Sequence, residues 1–187
     1  MSMREACAII LAGGQSKRFG SDKALAPFRG EPLIAHVLRG LRELEFAQIV
    51  IVAKEPERYA VFGAELARDQ SELQTPLAGI EAGLRASRFD LVFACAADMP
   101  FAADGPLVEA LLEAAVNQGV AFPRCHGQLQ PLCGAYSVWP ALPRVTRLLE
   151  QGAVGPRALP AKIIEWDDER PFLDADTPEA LRALEGT

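Results

Sequence analysis

Residues 7–23 read CAIILAGGQSKRFGSDK, a short apolar run that passes straight into a glycine pair and a basic stretch. The run Cys7 to Leu11 has the length and β-branched content of a buried strand. The connection after this strand decides the fold. Gly13 and Gly14 allow a tight turn and a close approach of the backbone to a ligand. Backbone N–H groups in such a turn point at anions. Lys17, Arg18 and Lys23 add positive charge within the same connection. Directional donors and mobile cations are what a triphosphate needs. The two commoner phosphate loops do not fit. Gly14 and Gly20 are separated by five residues, and Ser21-Asp22 comes next, so the G-x-x-x-x-G-K-[ST] pattern is missed. The stretch Gly13-Gly14-Gln15-Ser16 also fails G-x-G-x-x-G.

Working outward, apolar runs alternate with amphipathic ones. Pro32 to Leu44 reads as a helix, with Ile34, Val37, Leu38, Leu41 and Leu44 on one face. Strands are expected at Ile49–Val52, Leu91–Ala96, Val120–Phe122, Cys133–Val138 and Lys162–Glu165, with a further candidate strand just before Asp69. Helices are expected at Leu77–Arg85, Leu107–Val116, Val145–Glu150 and Pro178–Leu184. Continuous apolar strands separated by helices imply a mostly parallel sheet covered on both faces. The expected fold is therefore a three-layer α/β/α sandwich, with ligands at the carboxyl ends of the strands. The 187 residues fit a single domain, 1–187, of ordinary globular composition.

Composition excludes several classes. The net charge of −6 and pI near 5 argue against binding of nucleic acid polymers through phosphate neutralisation. Every apolar run is too short for a membrane span. The N-terminal run enters a glycine loop where a signal peptide would have a cleavage site, so a cytoplasmic protein is expected. Cys7, Cys95, Cys125 and Cys133 form no CxxC pair, and the spacing of Cys125, His126 and Cys133 matches no zinc pattern. His36 and His126 read as packing or surface residues.

Asp98 follows the run Leu91 to Ala96 and precedes Met-Pro. A carboxylate at a strand exit suits Mg²⁺, which often takes one or two protein carboxylates plus phosphate oxygens. A turn or helix-cap aspartate is the structural alternative there, and equally at Asp69.

The string LAGGQSKRFGSDK resembles the signature of the molybdenum cofactor guanylyltransferases, the MobA-like branch of the nucleotidyltransferases with a glycine-rich loop and a Rossmann-like fold. The likeness continues through Gly30–Ile34, Asp69, the P-L-A-G of Pro76–Gly79, the D-M-P of Asp98–Pro100, the Q-P-L of Gln130–Leu132, and Phe172–Pro178. It implies a nucleotide-binding first half and an acceptor-binding second half. Nucleotide-binding positions would be Leu11, Ala12, Gly13, Gly14, Lys23, Asp69, Pro76, Leu77, Gly79 and Asp98. Arg18, Lys23 and Asp98 would be catalytic, with Mg²⁺ on Asp98. Gln130, Pro131, Asp174 and Asp176 would lie near the acceptor. The implied reaction transfers GMP from GTP to the terminal phosphate of molybdopterin, with transient contact to molybdoenzymes or other cofactor-synthesis proteins. The chain departs from the family pattern in three places. Thr75-Pro76 replaces Gly-Pro, Ala97 precedes Asp98, and Asp174 and Asp176 stand where asparagines are usual. Relatives that use CTP more often carry Asp there. A CTP-dependent or sugar-phosphate transferase is therefore one alternative, and a catalytically silent nucleotide-binding module is another. A receiver-type α/β domain would want clustered acids where this chain has glycines.

Overall fold

The computed structural model describes residues 3–13, 22–153, 155–175 and 177–185. Ten strands are present among them: β1 (Ala6–Leu11), β2 (Pro27–Phe28), β3 (Glu31–Pro32), β4 (Gln48–Ala53), β5 (Glu65–Arg68), β6 (Leu91–Ala96), β7 (Val120–Cys125), β8 (Gln128–Leu129), β9 (Cys133–Ser137) and β10 (Lys162–Trp166). The α-helices are α1 (Leu33–Glu43), α2 (Pro76–Ala86), α3 (Gly105–Gln118), α4 (Val138–Glu150) and α5 (Pro178–Glu185). The main sheet has the order β10-β7-β9-β6-β1-β4-β5, with β8 against β7, while β2 and β3 form a small hairpin.

Strand β1 lies parallel between β4 and β6. Its alternation sorts the core into two layers. Ala6, Ala8 and Ile10 face α1 and α3, together with Ile34, Leu38, Leu107 and Leu111. Cys7 and Ile9 face α2 and α4, with Leu77, Ile80, Leu84 and Val145. The three-layer sandwich expected from the sequence is therefore present. Strand β9 runs against the rest, antiparallel to both β6 and β7, and the short β8 is likewise antiparallel to β7. The second layer is unusually close at one point. A Cβ at Gly83 would fall 2.5 Å from Ile9 Cδ1, so only glycine lets α2 approach β1 there.

Two elements run longer than their sequence signals. The expected helix at Val145 begins seven residues earlier, at Val138. Pro140 sits in the first turn, where its missing N–H costs no helical bond, and Pro143 lies inside the helix. The start is fixed from outside the helix: Asp90 accepts from Val138 N (2.7 Å, through its carbonyl), Trp139 N (3.2 Å) and Ser137 Oγ (2.9 Å). Strand β7 continues past Phe122 through Pro123. Its register with β9 covers only Val120 and Ala121, so the proline interrupts no bond to β9. The Pro123 carbonyl accepts from Gln130 N (2.9 Å). A smaller apolar cluster joins Phe28 and Leu33 to Leu181 and Leu184 of α5.

Candidate active site

From β1 the chain winds outward to β4 and β5, then returns to place β6 on the other side of β1. That reversal is the switch point at which open α/β sheets bind ligands. The rim is held by main-chain bonds just past the strands. Ala12 N donates to Val52 O (2.9 Å), Ala97 N to Leu11 O (3.0 Å), and Asp69 N to Ala53 O (2.9 Å). The exits of β6, β1, β4 and β5 thus form one edge, and a cleft of about 160 Å³ opens over it.

One flank of the cleft is apolar. Leu11, Val52, Ala53, Pro76 and Gly79 line it. Helix α2 brings Pro76 and Gly79 there because Thr75 caps its start, accepting from Leu77 N (3.2 Å), and Pro76 occupies the first turn. A Cβ at Gly79 would come within 3.2 Å of Leu11 Cδ2, so this wall has little room to spare. Leu77 behaves differently from its neighbours. It is fully buried in the core beneath the cleft, as the period of the helix requires.

The opposite flank is charged. Lys23 and Asp98 form an ion pair there, with side chains 13% and 22% exposed. Asp98 follows β6 on a turn in which Met99 N donates to Ala96 O (3.3 Å). Lys23 opens a single 3-10 turn capped by Asp22, whose Oδ1 accepts from Ala24 N (3.1 Å). Both residues line the cleft, as do Ala12, Gly13, Ala24, Ala96, Ala97 and Leu132. A Cβ at Gly13 would meet Ala53 Cα at 3.7 Å, an ordinary contact. The protein's own packing therefore does not demand glycine at that position.

Asp69 sits at the far end, 8% exposed. Its Oδ2 lies 2.9 Å from Lys54 Nζ and its Oδ1 accepts from Ser71 N (2.9 Å). Lys54 also donates to the carbonyls of Ser71 and Leu73. Asp69 thus holds a turn and lines the cleft at once.

Of the remaining expected positions, Gln130 and Pro131 are half-buried on the connection into β9, beside Leu132, and are not among the described walls of the cleft. Asp174 is exposed, but its neighbour Ala175 donates to the Asp98 carbonyl (3.2 Å), so the closing segment abuts the charged flank. Gly14, Arg18 and Asp176 lie outside the described residues. His36 Nε2 lies 2.8 Å from Phe28 O and its ring packs edge-on against Phe28. His126 occupies an exposed turn with φ of 47°.

Sequence reading missed two supports. Lys54 directly follows β4, and its position at a strand exit was the available signal. Tyr59 carried no signal beyond one aromatic in a charged segment. It is 2% exposed, and its hydroxyl reaches Asp22 Oδ2 (2.7 Å) and Ala12 O (3.1 Å).

Among the described residues no cluster of three or more His, Cys, Asp or Glu side chains is placed to hold a metal. Asp98, a hard-oxygen donor facing a cleft, fits an ion that completes its shell with water and phosphate oxygens.

Comparison with known proteins gives the family. A guanylyltransferase of the molybdenum cofactor from Pseudomonas putida is 39% identical over 186 residues, covering 93% of this chain and 94% of that one. One from Pseudomonas aeruginosa is 38% identical over 185 residues, covering 92% and 91%. The molybdopterin-guanine dinucleotide biosynthesis protein A of Archaeoglobus fulgidus shares the fold, with a TM-score of 0.78 at 23% identity over 96% of this chain and 97% of that one. The family model described as the MobA-like NTP transferase domain matches residues 8–165, and the chain belongs to that family.

Proposed function

We propose that the protein transfers GMP from GTP to the terminal phosphate of molybdopterin and releases pyrophosphate. The observation that carries this reading is the cleft itself: an apolar flank on one side, the Lys23–Asp98 pair on the other, both on the strand exits of a family whose relatives carry that activity by name. The guanine base lies along Leu11, Pro76 and Gly79, the apolar flank of the cleft. The triphosphate runs toward Lys23, with Arg18 and the Gly13–Gly14 backbone as further contacts. The absence of a side chain at Gly13 keeps the main chain open to it.

The acceptor phosphate is already a nucleophile, so no covalent enzyme intermediate is needed. It attacks the α-phosphate of GTP in line, the new P–O bond forms, and the bond to the β-phosphate's bridging oxygen breaks. The protein positions the partners and stabilises charge. Lys23 supplies a cation that moves between Asp98 and the phosphates. Asp98 would hold a divalent ion, taken to be Mg²⁺, which would supply neutralisation of charge on the phosphate oxygens. The same single domain, 1–187, divides its work. The first half binds nucleotide, and the acceptor lies toward Gln130, Pro131, Asp174 and Asp176, with transient docking to molybdoenzymes or other cofactor-synthesis proteins. A cytoplasmic location is supported by four cysteines that are all buried and free, as expected of a reducing compartment. No helix among the described residues is long and apolar enough to cross a membrane.

Pyrophosphate release measured against the four nucleoside triphosphates, with and without molybdopterin, tests the reading. Release with GTP and molybdopterin together is expected. Release with CTP, or binding without turnover, would replace it.

A further inference from the structure

The residues that flank the glycine-rich stretch, Ala12 and Asp22, are brought together by one buried side chain. Tyr59 stands on the 3-10 segment Pro56–Phe62, after β4, 37 positions from Asp22. Its hydroxyl lies 2.7 Å from Asp22 Oδ2 and 3.1 Å from the Ala12 carbonyl. Burial pushes the phenol's pKa up, and the Asp22 carboxylate pushes it further. The hydroxyl therefore keeps its proton and donates to the carboxylate. Arg58 Nη1 adds a second contact to the same Oδ2 at 3.2 Å, from a half-exposed position.

Asp22 then has both oxygens committed. Oδ2 meets Tyr59 and Arg58, and Oδ1 caps the turn that presents Lys23, accepting from Ala24 N. Leu25 N and Ala26 N close that turn onto the carbonyls of Asp22 and Lys23 (both 3.1 Å). A backbone turn of three residues has little stability of its own. A charge-assisted bond from a fixed phenol is the kind of contact that can set its orientation.

We infer that Tyr59, assisted by Arg58, is a positioning residue for the transfer reaction: it pins Asp22 and so sets where Lys23 meets its partners in the cleft. This rests on the proposed role of Lys23 in holding phosphate. Tyr59 does not line the cleft, and it acts through the residue that takes its hydroxyl proton, Asp22, with the Ala12 carbonyl as a longer second contact.

Tyr59→Phe keeps the ring in its buried place and removes only the hydroxyl. The expected result is a fall in kcat of about tenfold with KM for GTP changed less than about threefold, the scale of one lost charge-assisted hydrogen bond. Amide exchange at Ala24, Leu25 and Ala26, measured on the ligand-free protein, should quicken at least severalfold, and the melting temperature should stay close to the parent's. In an Asp22→Ala background, which removes the acceptor, Tyr59→Phe should cost little more, because the two act in series. Fully multiplicative losses would overturn the inference. So would unchanged kinetics, or a kinetic loss with unchanged exchange. A fall in kcat matched by a collapse in melting temperature would assign Tyr59 to the fold alone and also overturn it. Parent protein inactive toward GTP would strike the guanylyl reading by itself. The positioning claim would then be decided by amide exchange at Ala24, Leu25 and Ala26 alone, which Tyr59→Phe should quicken and which, if unchanged, would refute it.

Discussion

The two ends of the cleft are built alike and are used differently. Each has an aspartate just past a parallel strand and a lysine beside it: Asp98 with Lys23, and Asp69 with Lys54. At the Asp69 end the polar groups are spoken for. Asp69 holds the amide of Ser71, and Lys54 spans the carbonyls of Ser71 and Leu73. That lysine ties down a loop. At the Asp98 end the lysine rides on a short turn, and the pair faces the cleft. The same pair of residue types therefore ties down a loop at one end and lines the cleft from a short turn at the other, where we propose that it meets the phosphates. At the Asp69 end the carbonyls of Ser71 and Leu73 lie within reach of the lysine, and position relative to the strand does not reveal that.

The largest effect should come from the presented pair. Asp98→Ala is expected to remove divalent-metal-dependent turnover, a loss of about a hundredfold or more, the scale of removing one transition-state charge contact. A titration of rate against Mg²⁺ checks it, and an unchanged metal dependence would break the contrast between the two ends. Lys23→Ala should lower kcat/KM more than about tenfold, since a hydrogen bond to a charged group is worth roughly 1.5–3 kcal/mol. Steady-state kinetics with GTP measure it.

At the other end Asp69→Asn keeps an acceptor for Ser71 N and loses the charge that faces Lys54. KM for GTP should rise by about threefold with kcat within about twofold, since part-exposed ion pairs contribute ~0–1 kcal/mol. A kcat loss as large as that of Lys23→Ala would make the two ends equivalent.

Below both ends lies the packing that spaces them. Gly83→Ala would drive a methyl into Ile9, fully buried on β1. Overpacking of this kind costs about 1–3 kcal/mol, partly offset by alanine's better helix propensity. A melting temperature lower by a few degrees is expected from a thermal scan.

The smallest effect belongs to the core under the Asp98 end. Burial pushes the Cys95 thiol up to about 12. Its folded pKa lies above its unfolded one, so the folded state holds the proton more tightly. The contribution is complete below the unfolded value near 9 and fades as pH rises toward 12. Cys95→Ala should therefore flatten the alkaline loss of stability between those limits, as read by denaturant melts at several pH values. Activity near neutral pH should not follow that curve.

Much of this was legible in the chain. The strand–glycine–basic stretch placed the phosphate end, and the runs Leu91–Ala96 and Pro76–Gly79 placed both flanks, because parallel strands and capped helices carry local signals. What escaped depends on contacts distant in sequence. Asp90 starts α4 from 48 positions upstream of Val138, seven residues before the apolar pattern at Val145 places it. Leu77 belongs to a motif that elsewhere lines the slot, yet its place on α2 turns it into the core. Tyr59 gains meaning only when the fold carries it to Asp22. Propensity and pattern report on neighbours along the chain, and these three report on neighbours across it.

The presented end, Lys23 and Asp98, should face the phosphates while the Leu11, Pro76 and Gly79 wall faces the base. A crystal structure with a non-hydrolysable GTP analogue and Mn²⁺ tests this most directly. The metal is expected on an Asp98 oxygen, the Lys23 ammonium moved onto a phosphate, and guanine against Gly79. Metal bound away from Asp98, or the base at the Lys23 end of the cleft, would contradict it.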